Sequence, residues 1–183
     1  MNKLASVVHI INALYLWLIG LGIGAIIVSG VIVAPIIFNA YSFLPDLGIT
    51  QYDSGILMTQ IFIKLNDKLL NYTAIIIIIY ELLVFKSSFK SSIFLLGLNA
   101  LSVALIFIFT LYYTPNILEA QNMGAAYTAT PEFENMHTQS EYLFKILLVT
   151  LSISFLSRIV LLSSKPAHKT PKTTPKVSRK KSA

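Results

Sequence analysis

The chain contains no cysteine, which excludes disulfides, thiolate metal sites and a cysteine nucleophile. Charge is nearly as scarce. Asp, Glu, Lys and Arg make up 12% of the 183 residues, against about 25% in an average soluble domain. From Leu4 to Pro45 there is none at all. A helix that apolar exposes more surface in water than its neighbours can cover, whereas about 20 apolar residues of helix cross a bilayer core. Also missing are Gly-x-Ser-x-Gly, a phosphate-binding Gly-rich loop and His-Glu-x-x-His. Each of those spacings serves one reaction, and without them the expectation is a non-enzymatic protein with no resident cofactor.

A net charge of +6 suggests a nucleic-acid partner until the charges are located. Seven of the fourteen Lys and Arg residues follow Ser164, so the charge belongs to a terminal segment and not to a binding face. No nucleic-acid partner is expected. That segment, 163–183, is rich in Lys, Pro, Ser and Thr, and its composition predicts a disordered basic tail. Its cations would attract anionic lipid at about 1 kcal/mol each close to a membrane surface.

The rest, 1–162, reads as one all-α membrane domain, a bundle of four transmembrane helices over about 9–38, 69–85, 93–113 and 142–162. The first apolar run is far longer than a signal-peptide core of about 7–15 residues, so it is expected to remain as a span. Pro35 is expected to kink or end the first span, and Thr114-Pro115 to end the third. The run of five isoleucines at 75–79 would suit a buried strand in water, but a lone strand cannot satisfy its backbone in lipid. Between the first two spans, Ser54 to Lys64 has helical character. The pattern leaves open whether it lies on the membrane or leads into the second span.

Orientation follows from the positive-inside bias. With both termini and the 86–90 turn placed in the cytoplasm, eleven of the fourteen Lys and Arg residues lie inside. The 114–139 loop holds Glu119, Glu132 and Glu134 and no Lys or Arg, as an outer loop should. Tyr112, Tyr113, Tyr142 and Phe144 fall where the outer interface belongs.

Small residues punctuate the first span. Gly20 and Gly24 form a Gly-x-x-x-Gly pair, continued by Ala25, Ser29, Gly30 and Ala34. In lipid, close backbone approach holds helices together, so Gly20, Gly24, Ser29 and Gly30 are the expected packing face, within the bundle or toward a second copy or another membrane protein.

Two places carry candidate chemistry. Thr130 is placed to cap a helix beginning at Pro131 and running into the fourth span. On that helix Glu134, His137 and Glu141 share a face. A Glu-x-x-His pair is the geometry of carboxylate-bridged metal helices, and Met123 and Met136 add thioethers suited to a copper-like ion. This makes a transition-metal site a second reading, against a plain solvated face. Glu81 and Arg158 are charges inside spans, at similar depth near the cytoplasmic side, where an ion pair between them would fix helix rotation. Asn99, Ser102, Thr110, Ser152 and Ser154 suit interhelical hydrogen bonds. A haem would need axial ligands within the spans, and His9 and His137 sit at opposite faces.

Several short stretches together resemble a known family. Ala34-Pro-Ile-Ile-Phe38, Ser54-Gly55 with Gln60-Ile-Phe62, Tyr113-Thr-Pro-Asn-Ile117, and Phe133-x-x-x-His137-x-x-Ser140 are similar to motifs of the small multi-pass family grouped with transmembrane protein 205. The resemblance spans about Leu14 to Leu162. It implies a four-span integral membrane protein, in bacteria placed in the inner membrane, and brings no established reaction. The leading expectation is therefore an accessory or interaction protein of the membrane; the alternative is metal-ion or small-solute handling through the outer Glu and His residues.

Overall fold

The computed structural model describes residues 3–86 and 92–164. It contains four helices long and apolar enough to cross a membrane: Ser6–Phe38 (α1), Gln51–Lys86 (α2), Ile93–Asn122 (α3) and Pro131–Ser163 (α4). The protein is an all-α membrane protein of four apolar helices. The basic tail from Lys165 and most of the 86–90 turn lie outside the described residues.

Each helix is longer than a bilayer requires. α2 has 36 residues, about 54 Å at 1.5 Å per residue, against a hydrocarbon core of about 30 Å. Its first half is the stretch that the sequence leaves open, and it is continuous with the second. The helix opens on a reciprocal cap: the Thr50 hydroxyl accepts the Asp53 N–H at 3.2 Å, and the Thr50 N–H donates to the Asp53 carboxylate at 2.9 Å. Such a box satisfies two otherwise orphaned donors. α4 starts where Thr130 accepts the Phe133 N–H at 3.3 Å.

The prolines do not end their helices. α1 continues past Pro35 to Phe38, and α3 past Pro115 to Asn122, which corrects the expectation that the third span stops at Thr114-Pro115. Proline lacks an N–H and its ring crowds the carbonyl four residues back. Both helices answer by widening the turn just before it, over Val28–Val33 and Phe109–Tyr113. There the Ala34 N–H bonds the Ser29 carbonyl, and the Thr114 N–H bonds the Phe109 carbonyl, five residues back. A third wide turn, Asn66–Leu70 in α2, is closed by the Asn71 N–H on the Asn66 carbonyl.

α1 turns Asn12, Tyr15, Ile19, Gly22, Ile26 and Ser29 inward, alternating steps of three and four. Of these, Tyr15, Ile19 and Ile26 share one core with Leu70, Ala74 and Ile77 of α2 and Leu147 and Leu151 of α4. Leu14, Trp17, Leu21 and Val28 face outward, as suits a helix in lipid.

The expected glycine face runs beside this stripe. A Cβ on Gly24 would meet nothing within 4 Å, and one on Gly20 would meet the Phe155 ring at an ordinary 3.8 Å. The tight approach is at Gly22, where a Cβ would stand 3.2 Å from the Thr73 hydroxyl of α2. Gly22 lies on the inward stripe, while Gly20 and Gly24 lie to one side of it. Ser29 is buried and Gly30 would touch Phe144 at 3.8 Å.

Candidate functional site

The end of the bundle where α1 begins and α4 finishes is held by polar groups from all four helices. Arg158 of α4 is fully buried and donates to Glu81 Oε1 of α2 at 2.6 Å. Asn99 of α3 donates to the same oxygen at 2.5 Å, and its own carbonyl oxygen accepts from the Ser154 hydroxyl. The guanidinium carbon lies 4.9 Å from the centre of the Tyr80 ring and 5.8 Å from that of Tyr15. Those rings stack at 3.7 Å and 15°, so Arg158 sits beside the stacked pair, nearer to Tyr80. The Tyr80 hydroxyl then donates to Asn12 of α1 at 2.5 Å. A charge in hydrocarbon persists only when paired and hydrogen-bonded. Here the carboxylate, the amide and the ring faces together meet that demand.

Above this clamp the wide turns of α2 and α3 are joined. Asn66 donates from its side chain to the Thr114 hydroxyl at 2.8 Å, and that hydroxyl donates to the Phe109 carbonyl at 2.9 Å. The residue that opens one wide turn is thus bonded to the residue that closes the other.

At and beyond the wide turns the helices part around a cavity of about 930 Å³. Its apolar lining is aromatic in large part. Phe62, Phe109 and Phe144 meet with ring centres 5.0 to 5.4 Å apart, and Phe38, Tyr52 and Phe133 also line it. Buried polar groups line it too. Thr59 and Gln121 are only 6% and 7% exposed, and His137 Nδ1 is buried without a hydrogen-bond partner among the described residues. Gly55 leaves room for the Gln121 amide, whose nitrogen would stand 3.5 Å from a Cβ there. Tyr52 ties the same strip of α3 to α2 by donating to the Gln121 carbonyl at 2.6 Å.

Glu134, His137 and Glu141 all line this cavity, with Lys145 beside them. His137 Nε2 is 3.4 Å from Glu141, whose other oxygen is 3.3 Å from Lys145 Nζ. The Phe133 and His137 rings lie parallel, 6.1 Å apart. Among the described residues no three His, Asp or Glu side chains converge to hold a metal ion, so the spacing places the three residues on one helix face without gathering them into a ligand set. Met123 points outward and is exposed.

Glu81 and Arg158 meet, as their matching depth suggested. Asn12, Tyr15 and Tyr80 are the clamp residues that sequence reasoning misses. Their only mark is polarity inside an apolar run, and stacking on a neighbour's ring has no spacing rule. Thr59 and Gln121 are missed likewise, because each reads as a routine polar position on an exposed helix.

The chain belongs to the family described as a domain of unknown function (DUF4149), whose model matches residues 17–126. That stretch covers α1 from Trp17, α2 and α3. No curated protein and no solved structure matches the chain.

Proposed function

We propose that this member of the family is a non-enzymatic, membrane-integral binding protein, in which the clamp fixes the bundle and the outer chamber receives a small amphipathic molecule. The observation that carries the reading is the contrast along one bundle. The inner part is closed by a polar network drawn from all four helices, while the outer part opens around about 930 Å³, within the roughly 300–1,000 Å³ of small-molecule sites. A lining that is mainly apolar, with a few buried polar groups left over, is the make-up of such a site.

The resemblance to the transmembrane protein 205 family supports the same place. Phe38, Gly55, Phe62, Ile117, His137 and Ser140, residues on which it rests, come from all four helices and all line the chamber. The positive-inside bias supports both termini in the cytoplasm, and with them a chamber on the outer side of a bacterial inner membrane. An accessory role would use the open Gly20/Gly24 face for a second copy or another membrane protein, and the basic tail for anionic lipid.

Native mass spectrometry of the chain released from mild detergent tests the binding role. Wild type should carry a low-mass species that Gly30→Leu, which fills the chamber beside Phe144, does not retain. If neither protein carries one, and none is taken up from a lipid extract, the binding role is lost.

The approach of His137 to Glu141 keeps a second reading, transition-metal handling at the outer face. It requires a ligand beyond this chain's own cluster. Elemental analysis after loading with copper, zinc and iron decides it: near-stoichiometric metal that disappears in His137→Ala would raise it to first place.

A further inference from the structure

From the charge and surface chemistry of the outer chamber, we infer that it selects an organic cation: a compact positive centre carrying an apolar body. The inference rests on the binding role proposed above and names its ligand class.

Three features of the chamber converge on it. The wall is aromatic, and ring faces attract cations while accepting apolar groups. The triad of Phe62, Phe109 and Phe144 with Tyr52 and Phe133 offers such faces from three helices. The mouth is acidic. Lys145 is engaged by Glu141 at 3.3 Å and lies 5.3 Å from the Tyr142 ring centre. Glu134 has no ion-pair partner among the described residues. One unneutralised carboxylate therefore stands at the rim. The approach is acidic as well: residues 114–139, which reach from α3 over the mouth to α4, contain Glu119, Glu132 and Glu134 and no Lys or Arg. A low-dielectric cleft edged by one sign of charge concentrates the opposite sign.

Independent of charge, the little-exposed Thr59 and Gln121 line the chamber, and His137 Nδ1 in its wall is buried without a hydrogen-bond partner among the described residues. Unsatisfied polar groups at that depth cost free energy unless water or a ligand meets them. An inorganic cation would leave the aromatic wall without a role. An anion would face Glu134 with its one nearby lysine already engaged. A neutral lipid tail would leave His137 Nδ1 unmet. A hydrated or hydroxylated organic cation meets all three.

A pair of ions matched in size and opposite in charge tests this directly: tetraphenylphosphonium and tetraphenylborate. The full chain in phosphatidylcholine nanodiscs is dialysed against each, with empty nanodiscs subtracting simple partition. Saturable uptake of tetraphenylphosphonium near one per chain is expected, with no saturable uptake of tetraphenylborate. Glu134→Gln should weaken the cation about tenfold, as loss of one nearby charge implies, with an unchanged melting temperature. Gly30→Leu should abolish it. Equal uptake of both ions, or indifference to Glu134→Gln, would overturn the cation assignment while leaving a binding chamber. Saturable uptake of neither ion would overturn the cation assignment. If a neutral amphiphile then binds and Gly30→Leu blocks it, the chamber reading alone survives.

Discussion

Arg158 and Glu81 meet at 2.6 Å between α4 and α2, with the arginine at 0% exposure and the glutamate side chain at 11%. Because they come from sequence positions 77 apart, this one contact sets the rotation of two helices about their axes. The other members of the clamp then lock α1 and α3 to the same angle.

Breaking that pair from one side leaves a buried charge alone. Glu81→Ala should destabilise the bundle by about 3–5 kcal/mol, the scale for orphaning one member of a buried pair. Replacing both, as Glu81→Leu with Arg158→Met, should recover most of that loss. Unfolding titrations in mixed micelles measure it. If Glu81→Ala unfolds like wild type, the clamp is not what holds the inner bundle.

The glycines should sort by contact and not by motif. Gly22→Leu drives carbon into Thr73 and should cost about 1–3 kcal/mol through overpacking. Gly24→Leu, with open space in front of it, should change bundle stability little. It should, however, weaken any self-association of the chain that uses this face. Thermal unfolding paired with cross-linking in native membranes separates the two effects.

Thr114→Val should loosen the link between the wide turns of α2 and α3. Asn66 already has one amide atom without a partner, and this change would leave the other unmatched as well. The expected loss is about 1 kcal/mol, with membrane hydrogen bonds averaging about 0.6. Faster hydrogen exchange of the Asn71 and Thr114 amides, which close those turns, is the readout.

Absence of cysteine makes every introduced thiol a unique reporter. In intact bacterial cells, a membrane-impermeant maleimide should label Thr128→Cys and leave Lys86→Cys untouched until the cells are opened. Labelling in the reverse order would invert the proposed orientation and place the chamber in the cytoplasm.

Much of this architecture can be read from the chain. The four helices follow from apolar stretches, nearly free of charge, that are too long for any other structure, and Glu81 and Arg158 could be matched by depth because a charge in lipid has few ways to exist. Thr130 and Pro131 marked the start of α4. Gly-x-x-x-Gly records spacing and not direction, and only the burial of Asn12, Tyr15 and Ile19 shows which side of α1 faces inward. The wide turns were half legible. Pro35 and Pro115 announced a disturbance, but a helix that widens and one that stops begin with the same residue. Nothing at Asn66 announced the third. The chamber could not be read at all, because it is a space left between helices and belongs to no single segment.

On α1, α2 and α3 a wide turn lies along the helix between its clamp residues and its far end, while α4 is unbroken α-helix. An ordinary helix turns about 100° per residue, so an extra residue in one turn rotates everything beyond it relative to everything before. The three helices are therefore each two screws joined end to end, with α4 as the ruler against which they are set. Lengthening or shortening any one joint by a single residue would re-aim that helix's contribution to the chamber wall and leave the clamp in place. The shape of the chamber and the stability of the clamp are thus set by separate stretches of the same three helices.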